Sequence, residues 1–227
     1  MEDTSRKQHA LEVHRRLIEA YGEPGWRAHM DPISELVSTI LSQNTNDVNR
    51  DRAFQRLRER FPSWEAVRDA DVEEIKDAIR VSGLANGKAA TIHRALRRIT
   101  EERGELSLGF LQEMSVEDAK TWLTETKGVG VKTASIVLLF SLGRPAFPVD
   151  THVHRVTKRL GLTEPKASRE RAHRILEETL PEETYYAFHL NVIRHGREVC
   201  VAGTPRCEQC VLSDLCAYYA QTRATES

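Results

Sequence analysis

Cysteine is absent before position 200, and the four that exist crowd into Cys200-x6-Cys207-x2-Cys210-x5-Cys216. A disulfide framework spread through the chain is therefore excluded. There is also no uninterrupted apolar window approaching the roughly 20 residues a membrane helix requires, so no membrane association is expected. The opening MEDTSRKQHALEVHRR is charged throughout and carries no apolar signal segment, which predicts a reducing, cytosolic setting in which the thiols stay unpaired. Basic residues show no excess. Lys and Arg number 33 against 34 Asp and Glu, and the net charge of −1 argues against a nucleic-acid partner recruited by bulk charge, although local distribution can override that mean. Strand alternation, internal repeats and low-complexity tracts are missing too. With 40% hydrophobic and 30% charged residues, the chain reads as soluble, globular and all-α.

What is present is helical period. Ile33, Leu36, Val37, Ile40 and Leu41 recur at i, i+3, i+4, i+7 and i+8, one buried stripe, and Ala10, Val13, Leu17, Ile18 and Tyr21 form another before the break at Gly22 and Pro24. Periodicity and breakers predict further helices over 48–60, 72–80, 86–103, 116–126, 131–142, 151–160, 168–179 and 184–197. Short loops such as Phe61-Pro62-Ser63 and Gly143-Arg144-Pro145 join them, and Arg223 to Ser227 read as loose. Three basic groups, Lys88 with Arg94, Arg97 and Arg98, then Arg155, Lys158 and Arg159, then Arg194, Arg197 and Arg206, read as solvated helix faces.

Chemistry concentrates at three places. Only Cys207 and Cys210 form the close pair usual for structural zinc, and the longer arms to Cys200 and Cys216 suit a 4Fe–4S cluster better, with zinc as the other occupant. Ser115 with Asp118 signals a helix that stops at Gly128-Val129-Gly130, where a second, largely apolar helix begins. Such a helix, hairpin, helix unit offers backbone N–H groups to a phosphate, and it is also an ordinary helix–helix turn. Lys132 falls in the first turn of that second helix. The helix dipole and loss of water would lower its pKa and leave a neutral nucleophile, whereas a solvent-reaching side chain is the commoner fate of lysine. Asp150, in Pro148-Val149-Asp150-Thr151-His152, is placed either to cap the next helix or to return near Lys132, and the two roles are compatible.

These residues resemble the endonuclease III family of helix–hairpin–helix DNA glycosylases, in its iron–sulfur branch. Gly128-Val129-Gly130-Val131-Lys132-Thr133-Ala134, Val149-Asp150-Thr151-His152 and the four-cysteine ending occur in the family's order. Leu41-Ser42-Gln43-Asn44-Thr45-Asn46-Asp47 and Gly83-Leu84-Ala85-Asn86-Gly87-Lys88-Ala89 resemble two further family loops, so the likeness runs from about residue 30 to 216. The resemblance implies two helical domains with a DNA-binding cleft between them. One is a six-helix barrel over 25–144, with the helix–hairpin–helix at about 116–142, and the other an iron–sulfur domain built from 1–24 plus 145–227.

It further implies a bifunctional glycosylase and abasic-site lyase of base excision repair, acting on oxidised pyrimidines in double-stranded DNA. Lys132 would attack C1′ and form a Schiff base, Asp150 would assist, and β-elimination would cut the strand. Asn44, Leu84, Gly128, Gly130, Val131, Thr133 and Arg206 would contact DNA. Cys200, Cys207, Cys210 and Cys216 would hold the 4Fe–4S cluster of a monomer that resides in the cytoplasm, nucleoid-associated through DNA. Thr126-Lys127 replaces the Leu-Pro common before the hairpin glycines, Ala85 and Gly87 replace bulkier residues, and Asn44 stands where glutamine is frequent. Those departures bear on substrate preference, not reaction class. Two alternatives are a mismatch-specific glycosylase of the same fold, against which Lys132 and the chain's end soon after Cys216 both speak, and a non-catalytic helix–hairpin–helix binding module.

Overall fold

The computed structural model describes residues 3–226, with side chains for 4–224, and among these every regular element is helical. The helices are α1 (Asp3–Tyr21), α2 (Pro32–Ser42), α3 (Asp47–Arg60), α4 (Trp64–Asp69), α5 (Val72–Ile79), α6 (Ala85–Arg103), α7 (Val116–Thr124), α8 (Val131–Ile136), α9 (Thr151–Leu160), α10 (Arg169–Thr179), α11 (Tyr185–Glu198) and α12 (Ala217–Glu226). None of the described helices is long and apolar enough to cross a membrane. Contacts divide the chain into two compact units, one of Arg27–Arg144 and one of Met1–Trp26 with Pro145–Ser227.

In the Arg27–Arg144 unit, α2 supplies the central stripe. Ile33, Leu36, Val37, Ile40 and Leu41 are each buried, and at about 1.5–3 kcal/mol for a fully buried aliphatic side chain they favour packing of α2 against α3, α6 and α8. Asp31 starts the helix by accepting a hydrogen bond from Ser34 N at 3.0 Å, with Pro32 at the first helical position. α6 pairs with α5 and α4, and α7 with α8.

Helix α4 was not expected, because six residues with only Val67 buried show no readable period; the cap is what defines it, Ser63 Oγ accepting from Ala66 N at 3.1 Å. The helix expected over 131–142 is α-helical only to Ile136 and π-helical over Val137–Ser141. The wider turn leaves the carbonyls of Leu138 and Phe140 to accept from Arg144 N (2.8 Å) and His29 N (3.0 Å), so neighbouring chain takes up what the helix gives away.

The other unit packs α1 against α10 and α11, and α9 against α11 and α12. Phe147, fully buried, stands among the rings of Tyr185, Phe188 and His189 with centroids 5.4, 5.9 and 6.0 Å away. The expectation of a loose end from Arg223 is corrected: α12 is helical through Glu226, and Ser227 lies outside the described residues. Arg159 on α9 lies over the Tyr218 ring at 4.9 Å, which helps seat α12.

Truncating Phe147 to alanine should cost about 3–5 kcal/mol in urea unfolding, the range for deleting a buried aromatic ring. Val48→Ala, at a site 66% exposed, should stay within about 0.5 kcal/mol of the parent.

Candidate functional site

The hairpin is built as the capping signal suggested. Ser115 Oγ accepts from Asp118 N at 3.0 Å to start α7, and the chain leaves that helix through Glu125 to Gly130. Gly128 has φ +100°, and a Cβ there would come within 2.3 Å of Thr91 Oγ1 on α6. Both conformation and close approach therefore demand glycine. Gly130 differs: its φ is −97° and nothing lies within 4 Å of where a Cβ would sit. The fold itself does not require glycine at 130.

The hairpin hangs from α6. Arg94 Nη1 donates to Lys127 O at 2.8 Å, and Arg98 Nη1 donates to Trp122 O at 2.7 Å and to Thr126 Oγ1 at 3.1 Å. In α8 the first N–H to meet an intrahelical carbonyl is that of Ala134, on Gly130 O at 3.0 Å. Val131 and Lys132 are half-buried in the turn that precedes it. Thr133 is buried.

Two loops join this surface. Gln43 Nε2 donates to Gly128 O at 3.1 Å, tying the turn after α2 to the hairpin. Asn44 (φ +51°) and Leu84 (φ +49°) are the only non-glycine residues with positive φ among those described. Leu84 is also 66% exposed, a bulky apolar side chain left in water on a strained backbone.

Lys88, expected on a solvated face, is instead buried, and burial lowers its pKa to about 8. Its Nζ donates to Leu41 O and Ser82 O at 2.8 Å each and to Thr45 Oγ1 at 2.7 Å. Glu35 of α2 is a second buried ionisable group that the pattern did not reveal. Burial pushes its carboxyl up, opposed by a hydrogen bond from Thr39 and by the charges of Arg50 and Lys132, and its Oε2 has no hydrogen-bond partner among the described residues. Both lie on faces that residue type alone marks as polar.

Asp150 lies in the other unit, at the N-cap of α9, where Oδ1 accepts from Val153 N at 2.7 Å. Its approach is held firmly. His173 Nδ1 donates to Phe147 O at 2.8 Å and His189 Nδ1 to Pro148 O at 3.0 Å, while Phe147 N donates to Glu177 Oε1 at 2.9 Å. Neither histidine carried a sequence signal, since neither falls in a motif.

The four sulfurs line one pocket with Val156, Arg159, His195 and Tyr218. Four thiols on one pocket are the donor set of an iron–sulfur core. That arrangement suits a polynuclear core. Burial, and then the neighbouring sulfurs, push the thiols of Cys207 and Cys210 up, Cys210 to about 11. A cationic core reverses that preference and takes them as thiolates.

Donors wait for such thiolates. Arg159 Nη1 lies 3.3 Å from Cys200 Sγ, and His195 Nε2 lies 3.5 Å from Cys210 Sγ while Tyr21 Oη bonds the other ring nitrogen at 2.9 Å. Arg155 and Arg159, expected as solvated, in fact donate to the carbonyls of Gly196 (2.8 Å) and Val201 (2.7 Å). Arg206 is exposed beside this pocket with Nη1 on Glu198 O at 3.1 Å.

Residues 37–182 match the model of the HhH-GPD superfamily of base excision DNA repair proteins, and residues 200–216 match the iron–sulfur binding domain of endonuclease III. The endonuclease III of Thermotoga maritima is 33% identical over 208 residues, 92% of either chain. The chain belongs to the endonuclease III family. An Arabidopsis thaliana relative is 43% identical over 162 residues, 71% of this chain and 55% of that protein. A solved structure of a trapped endonuclease III–DNA covalent intermediate superposes with a TM-score of 0.80 at 28% identity, covering 96% of this chain and 98% of that one. Family membership makes this a DNA-binding repair protein with an iron–sulfur cofactor, and it overturns the inference from net charge.

The two hairpin glycines should separate by experiment. Gly128→Ala should lower stability by more than about 1 kcal/mol, from backbone strain and the contact with Thr91. Gly130→Ala should leave the melting temperature unchanged yet weaken binding to duplex DNA.

Proposed function

We propose that this chain is a bifunctional DNA glycosylase and abasic-site lyase that removes oxidised pyrimidines through Lys132. The observation carrying the reading is the placement of Lys132 in the first turn after a glycine hairpin, in a chain whose solved neighbour was trapped covalently on DNA. A base within a duplex is out of reach, so the nucleotide is flipped at a cost of a few kcal/mol, least for a base whose stacking is already spoiled. Oxidation across the 5,6 bond of a pyrimidine spoils stacking in this way.

The Lys132 amine attacks C1′. The C1′–N bond to the base breaks as the new one forms, the departing base takes up a proton, and ring opening gives an imine. The imine acidifies C2′–H. Loss of that proton expels the 3′ phosphate by β-elimination, so one lysine serves both steps. Asp150, as a carboxylate, stabilises the positive charge developing on the sugar and receives protons, while its Oδ1 bond to Val153 N fixes its orientation.

The hairpin, with Gly128, Gly130, Val131 and the N–H of Thr133, seats a backbone phosphate. Asn44 and Leu84 enter the vacated stack, the amide facing the orphaned base and the leucine acting as a wedge. Cys200, Cys207, Cys210 and Cys216 hold the 4Fe–4S cluster. When bound, the cluster crosslinks a segment in which Leu212 is the one buried hydrophobic side chain, and it sets Arg206 toward DNA. The protein acts as a monomer on damaged or abasic duplexes.

Borohydride added during reaction with an oxidised-pyrimidine or abasic duplex should leave a covalent adduct, and Lys132→Gln should abolish it while retaining binding. Normal cleavage and trapping by that variant would remove the assignment. Asp150→Asn should lower turnover on the order of 10²-fold with lesion binding kept.

The purified protein should be brown and contain about four irons per chain, with Cys216→Ser lost from the soluble fraction. One zinc and no iron would end the cluster reading.

A further inference from the structure

The exposed tips of the two duplex-facing loops are held in place by one buried group. Asn44 and Leu84 each occupy the left-handed region, which costs about 1–3 kcal/mol per residue and persists only where the surroundings over-determine it. For Leu84 no local device supplies that: it occupies the N-cap position of α6 without a side-chain cap, and at 66% exposure it gains little from packing. What lies beneath both residues is Lys88.

Its ammonium grips the first loop on either side of Asn44, through Leu41 O before it and Thr45 Oγ1 after it, and the second loop through Ser82 O, two residues before Leu84. Thr45 Oγ1 also donates to Ser82 O, so the loops are crosslinked directly as well as through the lysine. Burying an ammonium is expensive, and the depressed pKa of Lys88, near 8, records that cost. A fold in need of packing alone would place a leucine or methionine here. Three inward-turned oxygens from two loops give the charge its reason.

We propose that Lys88 is a positioning residue for duplex opening: by clamping the two loops together it holds Asn44 and Leu84 in the conformations that penetrate the base stack. This rests on the reading of Asn44 and Leu84 as stack-filling residues. Lys88 itself is 3% exposed, with its ammonium spent on the three loop oxygens. Its loss therefore acts through the loops, most strongly where a stack must be held open.

The test is a double-mutant cycle with Leu84→Ala. Lys88→Met keeps the volume of the stem and removes the charge, and Thr45→Val removes the hydroxyl that bridges lysine and Ser82, providing a milder second variant should Lys88→Met fail to fold. Three measurements apply to each: lesion excision from duplex and from single-stranded DNA, borohydride trapping on a preformed abasic single strand, and the fluorescence of a 2-aminopurine placed beside the lesion, which rises as the stack opens. The expected result is a tenfold or greater loss on duplex, a smaller one for Thr45→Val, with single-strand excision and trapping within twofold of the parent and the fluorescence rise reduced. Adding Lys88→Met to Leu84→Ala should bring little further loss. Equal losses on single and double strands, or losses that multiply in the double variant, overturn the positioning role. If Leu84→Ala alone shows no duplex selectivity, it is the stack-filling reading that has failed, and the role of Lys88 falls with it.

Discussion

The carbonyls of three turns face α6, and the side chains of α6 that meet them are cationic. Ser82 O and Leu41 O end on Lys88, Lys127 O on Arg94, and Trp122 O on Arg98. These residues recur at helical spacing along one face of the helix, with Thr91 between them pressed against Gly128. An inward carbonyl without a donor costs about 1–3 kcal/mol, so each turn would otherwise unwind toward water. Long cationic side chains reach turns that backbone N–H groups cannot. Lys88 binds from inside and Arg98 from a half-buried position, whereas Arg94 reaches Lys127 O along the surface. Gln43 closes the circuit by donating to Gly128 O, so the loop after α2 and the hairpin cannot shift independently. The departure at Thr126-Lys127 fits this scheme. Thr126 is buried with its hydroxyl on Arg98, an acceptor that a proline or leucine would lack, and Lys127 stays exposed as an added cation on the hairpin turn.

The cysteine segment is stabilised on a different principle. Between Cys200 and Cys216 the backbone forms only short 3₁₀ turns, at Cys207–Gln209 and Ser213–Leu215, and Val211 is left 44% exposed. So little apolar burial cannot order the backbone, whose cost is roughly 1–2 kcal/mol per residue. Four metal–sulfur bonds can. The protein's own contribution is to bring the segment to α9, where Arg155 and Arg159 take its carbonyls and Arg159 also faces Cys200 Sγ. Cluster and fold therefore stabilise one another, which is a structural use of iron and needs no electron transfer.

Much of this was legible in the residue pattern. The helices of 33–41, 48–60 and 151–160 follow from period and caps, and Ser115 with Asp118 marked the start of α7 because capping is local chemistry. The proposed roles of Lys132 and Asp150 rest on family motifs. What escaped was of two kinds. Short elements such as α4 contain too few turns to show a period, and α12 lies beyond the cysteine segment with little buried surface to mark it. Inward-facing cations escaped for a deeper reason. Lys88, Arg98 and Arg159 have the residue type of a solvated face, and only the positions of distant carbonyls, unknowable from local sequence, show that they turn inward. The same blindness covers Glu35, His173 and His189.

Strain in this molecule is concentrated where the duplex would press. Left-handed backbone at a non-glycine residue is tolerable for asparagine, whose short amide bonds locally, but disfavoured for leucine, and glycine at position 84 would relieve it. Glycine would also remove the wedge. The flanking Ala85 and Gly87 make the case sharper, since a Cβ at Gly87 would meet nothing within 4 Å and there is room for larger side chains that the sequence does not use. Small neighbours leave Leu84 projecting alone. A rigid, isolated apolar tip would enter a base step with little further loss of conformational freedom on contact, so the cost of ordering would be met in the free protein and not at the moment of binding. Stability given up at residues 44 and 84 is recovered through the buried contacts of Lys88, and on the proposed reading of these loops it leaves a surface already shaped for the gap beside a flipped nucleotide.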